Sequence, residues 1–421
     1  MTSPAAALRT AFLLAAACAA GGAAAATGAA APARAAAPEP PARSSLSDSV
    51  RVTFLVQAPA STPGNATLWI SGNVPELGEW NGAGLRLAAR GGGRHAATVA
   101  LARGTALQFK VTRGGWDTVE KDERGGEIGN HVATATGDDT LRLAVRTWRD
   151  QAEPPAASRA RTLTGNVVEM AAFSSRFVRE RRVWVYLPPG YAADSSARYP
   201  VVYFHDGNNV FDAATSFLGV EWGVDETAER LIPTGGLPPF IAVAVANTPD
   251  RAAEYTPAAD ARHGGGRAAD YARFLVDELK PRVDSLYRTL PDPAHTAVAG
   301  SSLGGLVSLW LGLERPDVFG RVACISPAAW WANRDMVRRA GAAAGPRPGQ
   351  RTWIDIGTHE GTASAGRAEW LEDARALRDA LISRGWREGA SLHYEEVAGA
   401  AHNEGAWAAR IDRVLAFLLA P

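Results

Sequence analysis

Short runs of alternating apolar residues recur between Val50 and Trp148, among them Val52-Thr53-Phe54-Leu55-Val56, Ala66-Thr67-Leu68-Trp69-Ile70, Ala97-Thr98-Val99-Ala100-Leu101, Leu107-Gln108-Phe109-Lys110-Val111 and Leu141-Arg142-Leu143-Ala144-Val145. Gly, Asn and Pro clusters separate them, a spacing that predicts a small antiparallel β-sandwich over residues 50–148. After a linker at 149–160, whose Gln151-Ala152-Glu153-Pro154-Pro155-Ala156-Ala157 has no apolar periodicity, the texture changes. From Arg161 compact apolar strands (Val183–Leu187, Val201–Phe204, Phe240–Val245, Thr296–Ala299, Val322–Ile325, Trp353–Ile356, Leu392–Tyr394) alternate with longer helical stretches. The helical stretches are Arg267–Leu286, Leu303–Leu313, Trp370–Ser383 and Ala406–Leu419. Strands apolar on both faces, alternating with helices, predict an α/β domain over 161–421 whose mostly parallel sheet is covered on both sides.

Composition narrows the partners. Lys+Arg 44 against Asp+Glu 44 leaves a net charge of +0, so no positive field is available to hold nucleic acid. Residues 1–26 place Arg9 ahead of the apolar run Ala11–Ala20 and then small residues, the order of a secretory signal peptide. Residues 27–49 are Ala/Pro/Ser-rich and read as a tether, so an exported protein, periplasmic or extracellular, is expected. Cys18 lies close to a lipoprotein box, although Ala15 stands where Leu is preferred, and a lipid anchor there remains an alternative. Cys324 then has no disulfide partner and reads as a buried apolar side chain.

The candidate chemistry lies in the second domain. Gly300-Ser301-Ser302-Leu303-Gly304 fits Gly-x-Ser-x-Gly, entered from an apolar strand and left through a helical pattern. That context makes Ser302 a candidate nucleophile on a sharp strand-to-helix turn. A serine hydroxyl needs a base within hydrogen-bond reach, itself oriented by a carboxylate. His359, His393 and His402 follow Ser302; His402, in a loop just before the final helix, is preferred as the base. Glu360, just past the strand Trp353–Ile356, is preferred as the acid over Asp355, which lies within that strand. An oxyanion hole would draw one N–H from Leu303 and a second from Asn208, or from Gly207, in the turn after Val201–Phe204. No His-Glu-x-x-His or clustered Cys/His spacing occurs, so neither a metal nor another cofactor is expected.

With these residues assembled, Arg161–Pro421 resembles the esterase family of α/β-hydrolases that includes enterochelin esterases, S-formylglutathione hydrolases, feruloyl esterases and mycolyltransferases. The likeness rests on Val183–Tyr191, His205–Phe211, Arg251–Tyr255, the Gly300 elbow, Ser326–Trp331, Gly357–Glu360 and the His402 loop. It implies an α/β-hydrolase fold and a serine ester hydrolase working through an acyl-enzyme, or an acyltransferase of the same fold. Trp222, Trp330, Trp331 and Trp407 are candidates for the wall of an apolar acyl pocket, or else core aromatics.

Ser71–Asn81, Leu107–Val111 and Thr118–Lys121 resemble family 20 carbohydrate-binding modules, the starch-binding domains. The resemblance implies a sugar platform at Trp80 with Lys110 and Trp116, although Lys121 stands where starch binders carry a second Trp. The expected substrates are acyl esters of carbohydrates or siderophore-type esters. A non-catalytic glycan-binding protein is the alternative from another class.

Overall fold

The computed structural model describes residues 49–420, apart from 124, 127, 152–160, 218, 262 and 361–365. The expected leader with Cys18, the tether up to residue 48 and most of the linker lie outside the described residues, and Ser49, expected to end the tether, opens the first strand.

Residues 49–148 form two four-stranded sheets. In one, Ser49–Gln57 lies between Arg94–Ala102 and Asp139–Ala144, with Ala88–Gly91 at the edge. In the other, Trp69–Gly72 lies between Leu85–Arg86 and Ala106–Thr112, which pairs in turn with His131–Thr134. Alternation turns Val50, Val52, Phe54 and Val56 inward to meet Ile70, Leu107 and Phe109 in one core. The sandwich is not wholly antiparallel: Ser49–Gln57 and Asp139–Ala144 run parallel, because the chain passes through the other sheet between them and no hairpin joins them.

The second part is an eight-stranded sheet in the order Asn166–Glu169, Val183–Leu187, Ile241–Val245, Val201–Phe204, Thr296–Ser301, Arg321–Ile325, Arg351–Gly357, Leu392–Val397. Val183–Leu187 runs antiparallel to both neighbours, and every pair from Ile241–Val245 onward is parallel. Its six inner strands are buried on both faces, as their unbroken apolar runs require, while the edge strands Asn166–Glu169 and Leu392–Val397 are partly open. Val183, Val185 and Tyr203 enter one core with Tyr271, Leu306 and Leu377; Trp184, Tyr186 and Phe204 enter the other with Val224, Ile411 and Leu415. The strand order reverses at Val201–Phe204, and in open sheets of this kind binding groups gather beyond the C-terminal ends of the strands at such a reversal.

The helices Val224–Leu231 and Trp331–Ala342 lie outside the helical stretches expected from the sequence. The first begins at a left-handed Gly223, and Ala332, Asn333 and Arg334 of the second are left-handed. The expected helix Ala406–Leu419 is two, Glu404–Ala408 and Ile411–Leu419, broken at Arg410, whose side chain turns into the interior.

At the start of Val224–Leu231 the fully buried Asp225 accepts a hydrogen bond from the Thr164 backbone N–H at 2.7 Å. Carboxylate oxygens of Glu221, Asp225 and Glu226 lie within 4.8 Å of one another, a cluster that no metal-binding spacing in the sequence announces. Burial, and then Glu226 beside it, raise the Asp225 carboxyl to about 8. An unfolded Asp titrates at about 3.9, so between these values the folded chain holds a proton that the unfolded chain has lost. Stability attributable to Asp225 is therefore present at low pH and is lost as pH rises towards 8. Asp225→Asn keeps an acceptor for Thr164 and cannot ionise. Its melting temperature is expected to gain on the parent's as pH is raised from about 5 to 8; a difference independent of pH contradicts this assignment.

Candidate active site

The elbow is built by sterics. The buried strand Thr296–Ser301 delivers Ser302 into a conformation with φ 58° and ψ −121°, and the helix Leu303–Glu314 starts at the next residue. Such a φ is uncommon for a residue with a side chain and persists only where the surroundings enforce it. Ser302 N–H donates to the Ile325 carbonyl at 3.0 Å, and its own carbonyl accepts from Leu306 N–H at 3.0 Å and Ala328 N–H at 3.2 Å. A Cβ at Gly300 would stand 2.6 Å from the Gly304 carbonyl carbon, and one at Gly305 2.9 Å from the Ile325 carbonyl oxygen. Glycine at both positions lets strand, turn and helix approach this closely.

Glu360 and His402 meet beyond the next strands of the sheet. His402 Nδ1 lies 3.0 Å from Glu360 Oε2, with the carboxylate fully buried and the imidazole partly open. Glu360 Oε1 accepts from the Gly357 N–H at 2.7 Å and from the Ser326 hydroxyl. The two loops interlock, since His359 N–H donates to the Ala400 carbonyl at 2.9 Å and a Cβ at Gly357 would stand 2.2 Å from that oxygen. No hydrogen bond joins Ser302 Oγ to His402 Nε2 among the described residues; such contacts are often long before substrate binds.

Asp355 has a different post. It is fully buried, lies 2.7 Å from Arg410 Nη2, and accepts from Trp353 Nε1 at 2.7 Å. Burial pushes its carboxyl up while the Arg410 guanidinium opposes the shift. Arg410 Nη2 also donates to Ser326 Oγ at 2.7 Å, and Trp407 Nε1 to the same oxygen at 3.0 Å. Ser326, itself at φ 43°, thus links Arg410 and Asp355 to Glu360. Of the other two histidines, His393 stacks on Trp353 with centroids 3.9 Å apart, and His359 bonds to Thr358 Oγ1 at 3.2 Å on the surface.

Leu303 is the first residue of its helix, so its N–H has no intrahelical partner. Across from it, the turn Gly207–Asn209 follows a left-handed Asp206 that Arg251 grips at 2.7 and 2.8 Å. The Asn209 and Val210 N–H groups bond back within this turn, and among the described residues Asn208 N–H makes no such bond. Gly207 packs against the neighbouring strand, where a Cβ would stand 2.4 Å from Val245 N. Its glycine is required there by backbone contact. Beneath the elbow His205 bonds to Tyr271 through Nδ1 at 2.9 Å, and burial lowers its pKa to about 3, so it adds no charge.

The tryptophans divide. Trp222 is buried against Phe204 and Trp407, so it backs the site without facing the crevice. Trp331 is buried too, its Nε1 donating to the Ala258 carbonyl at 2.8 Å, and it packs the core instead of lining a pocket. Trp330 stays half-buried, 6.3 Å from Trp370, whose ring stands 4.8 Å from His402; Trp407 flanks His402 at 5.0 Å on edge. The sequence reading assigned no part in the site to Ser326, Arg410 or Trp370, since only tertiary contact brings them to Glu360 and His402.

In the sandwich the Trp80 and Trp116 rings pair at 6.1 Å with a 36° tilt, both half-buried, and Trp116 Nε1 donates to the Trp80 carbonyl at 3.1 Å. Lys110 is buried and offers no exposed face to a sugar. Its strand Ala106–Thr112 is covered on both sides, and the buried amine reaches the Ile128 carbonyl.

Residues 174–418 match the family model described as "Putative esterase". The chain belongs to this esterase family. Residues 49–132 match the model described as "Starch binding domain". An uncharacterized protein of Bacillus subtilis, YbbA, is 25% identical over 214 residues, 49% of this chain and 80% of its own length. The iron(III) enterobactin esterase of Dickeya dadantii is 30% identical over 44% of this chain and 37% of its own. An alpha-amylase of Niallia circulans is 41% identical over 103 residues, 24% of this chain and 8% of its own. Among solved structures, the enterobactin esterase of Shigella flexneri has a TM-score of 0.49 at 21% identity, covering 89% of this esterase and 94% of that chain.

The buried ion pair sets a stability test. Arg410→Met leaves the Asp355 carboxylate without its cation and is expected to lower unfolding free energy by about 3–5 kcal/mol. Adding Asp355→Asn should recover part of that loss in chemical denaturation; losses that simply add contradict the pairing.

Proposed function

We propose that this protein is an exported serine carboxylic ester hydrolase that acts through an acyl-enzyme on Ser302, with acylated carbohydrate or siderophore-type esters as its substrate class. The observation carrying this reading is the 3.0 Å contact of His402 Nδ1 with the buried Glu360, past strands of the same sheet as a nucleophile candidate held at φ 58°. In this reading Ser302 Oγ attacks the ester carbonyl while His402 Nε2 takes its proton. Glu360 holds the imidazole in the tautomer with Nδ1 protonated and stabilises the imidazolium. The N–H groups of Leu303 and Asn208 receive the developing oxyanion. On collapse His402 returns the proton to the leaving alcohol, and water, deprotonated by His402, then releases the acid. Trp370 stands beside His402 and packs near Trp330, and the two supply an apolar wall for the acyl group.

The starch-binding match favours an ester carried by a carbohydrate, and the enterobactin esterase relative favours a siderophore ester. Export is proposed from the leader pattern alone; fractionation of cells with mass analysis of the mature N-terminus separates a free form from one lipidated at Cys18.

Ser302→Ala and His402→Ala are each expected to lower kcat on p-nitrophenyl acetate by about 10⁴- to 10⁶-fold, and Glu360→Ala by about 10²- to 10⁴-fold. Near-native turnover in a folded Ser302→Ala or His402→Ala variant rejects the mechanism, and a folded Asp355→Ala more damaging than Glu360→Ala rejects the choice of acid.

A further inference from the structure

Phe217 and Val220 are among the few large apolar side chains left exposed, at 41% and 44%. Both belong to the segment between the Gly207–Asn209 turn and the helix Val224–Leu231. Phe217 N–H donates to Asn209 Oδ1 at 2.8 Å, and Thr215 Oγ1 donates to the Asn208 carbonyl at 2.7 Å. Val220 Cγ1 comes within 3.9 Å of the Cβ position of Gly405, in the helix that follows the His402 loop. The segment is therefore an apolar lip, pinned to the turn of the proposed oxyanion hole on one side and near the base on the other.

One arginine joins this lip to the sandwich. The Arg149 guanidinium lies 5.8 Å from the centre of the Phe217 ring, while its Nη1 is 3.5 Å from the Trp116 carbonyl. Arg149 N–H is bonded to the Val119 carbonyl at 2.9 Å, which ties its backbone to the sandwich. Trp116 is in turn the partner of Trp80. The aromatic pair of the starch-binding domain and the lip of the esterase crevice thus stand either side of a single side chain. Indole faces and a guanidinium suit sugar rings, the first by apolar stacking and the second by hydrogen bonding to hydroxyls.

We infer that Trp80, Trp116, Arg149 and Phe217 form one continuous surface for a single α-glucan chain bearing an acyl ester, which is threaded from the aromatic pair to Ser302. The inference rests on the esterase reading and gives it a substrate class. The acyl group passes from a sugar oxygen to Ser302 Oγ and then to water, and the sugar hydroxyl leaves with the proton held by His402.

The test uses the full chain and a series of singly acetylated, soluble malto-oligosaccharides of increasing length, with p-nitrophenyl acetate alongside. A soluble single chain removes the benefit that mere tethering to an insoluble polymer would give. The expected result is that kcat/KM rises at least about tenfold from acetylated glucose to the longest oligosaccharide. Trp80→Ala and Trp116→Ala should each abolish most of this rise, and Phe217→Ala should reduce it non-additively with Trp116→Ala. Turnover of p-nitrophenyl acetate without a length-dependent rise overturns the inference alone. A rise confined to acetylated xylo-oligosaccharides overturns the α-glucan assignment. Inactivity on every ester overturns the esterase reading and this inference with it.

Discussion

The site depends on one buried cation. Arg410 is nearly inaccessible to solvent, and its guanidinium is shared between Asp355 and Ser326. A guanidinium taken out of water is costly unless it is paired and hydrogen-bonded, and this one is both. Its planar fork orders two further groups: Ser326 Oγ donates to Glu360, and Glu360 faces His402. Removing any member leaves buried polar atoms unmatched, so the orientation of the imidazole is enforced through the interior as well as by the loop that carries it.

The sheet supplies the second constraint. Ser302, Ser326, Glu360 and His402 follow successive neighbouring strands, Thr296–Ser301, Arg321–Ile325, Arg351–Gly357 and Leu392–Val397. Parallel strands end on the same side, so residues far apart in the chain gather at one edge without long excursions. The positive φ of Ser302 is maintained by the hydrogen bonds of Ile325 and Ala328 around it. On the opposite side of the elbow, Arg251 and Asp206 hold the turn that carries Asn208. Strain and charge are thereby both carried by the scaffold rather than by the crevice itself.

The sheet was legible because strands buried on both faces leave unbroken apolar runs, and the strand-turn-helix around Ser302 leaves a local string. Glu360 and His402 were legible from chain order and from their places just past strand ends. Ser326, Arg410 and Trp370 were not, because nothing local distinguishes a charged residue that turns inward between two short helices from one that faces water. The same limit applies to Lys110 and Trp222, where residue type suggested a binding face and packing put the side chain inside. A run such as Val224–Leu231 is short enough that its helix depends on tertiary contact. Whether an aromatic belongs to a core or a platform is decided by what covers it, which is a property of the fold.

The central claim is that this arrangement makes Ser302 a covalent nucleophile. The most direct measurement is rapid quenching of the full chain during turnover of p-nitrophenyl acetate, followed by peptide mass analysis. The account predicts one acetyl group on the peptide containing Ser302, absent from the Ser302→Ala variant and accumulating when Glu360 or His402 is replaced only as far as acylation still proceeds. Turnover with no acetyl on Ser302, or with the acetyl on another residue and activity retained in Ser302→Ala, would contradict it.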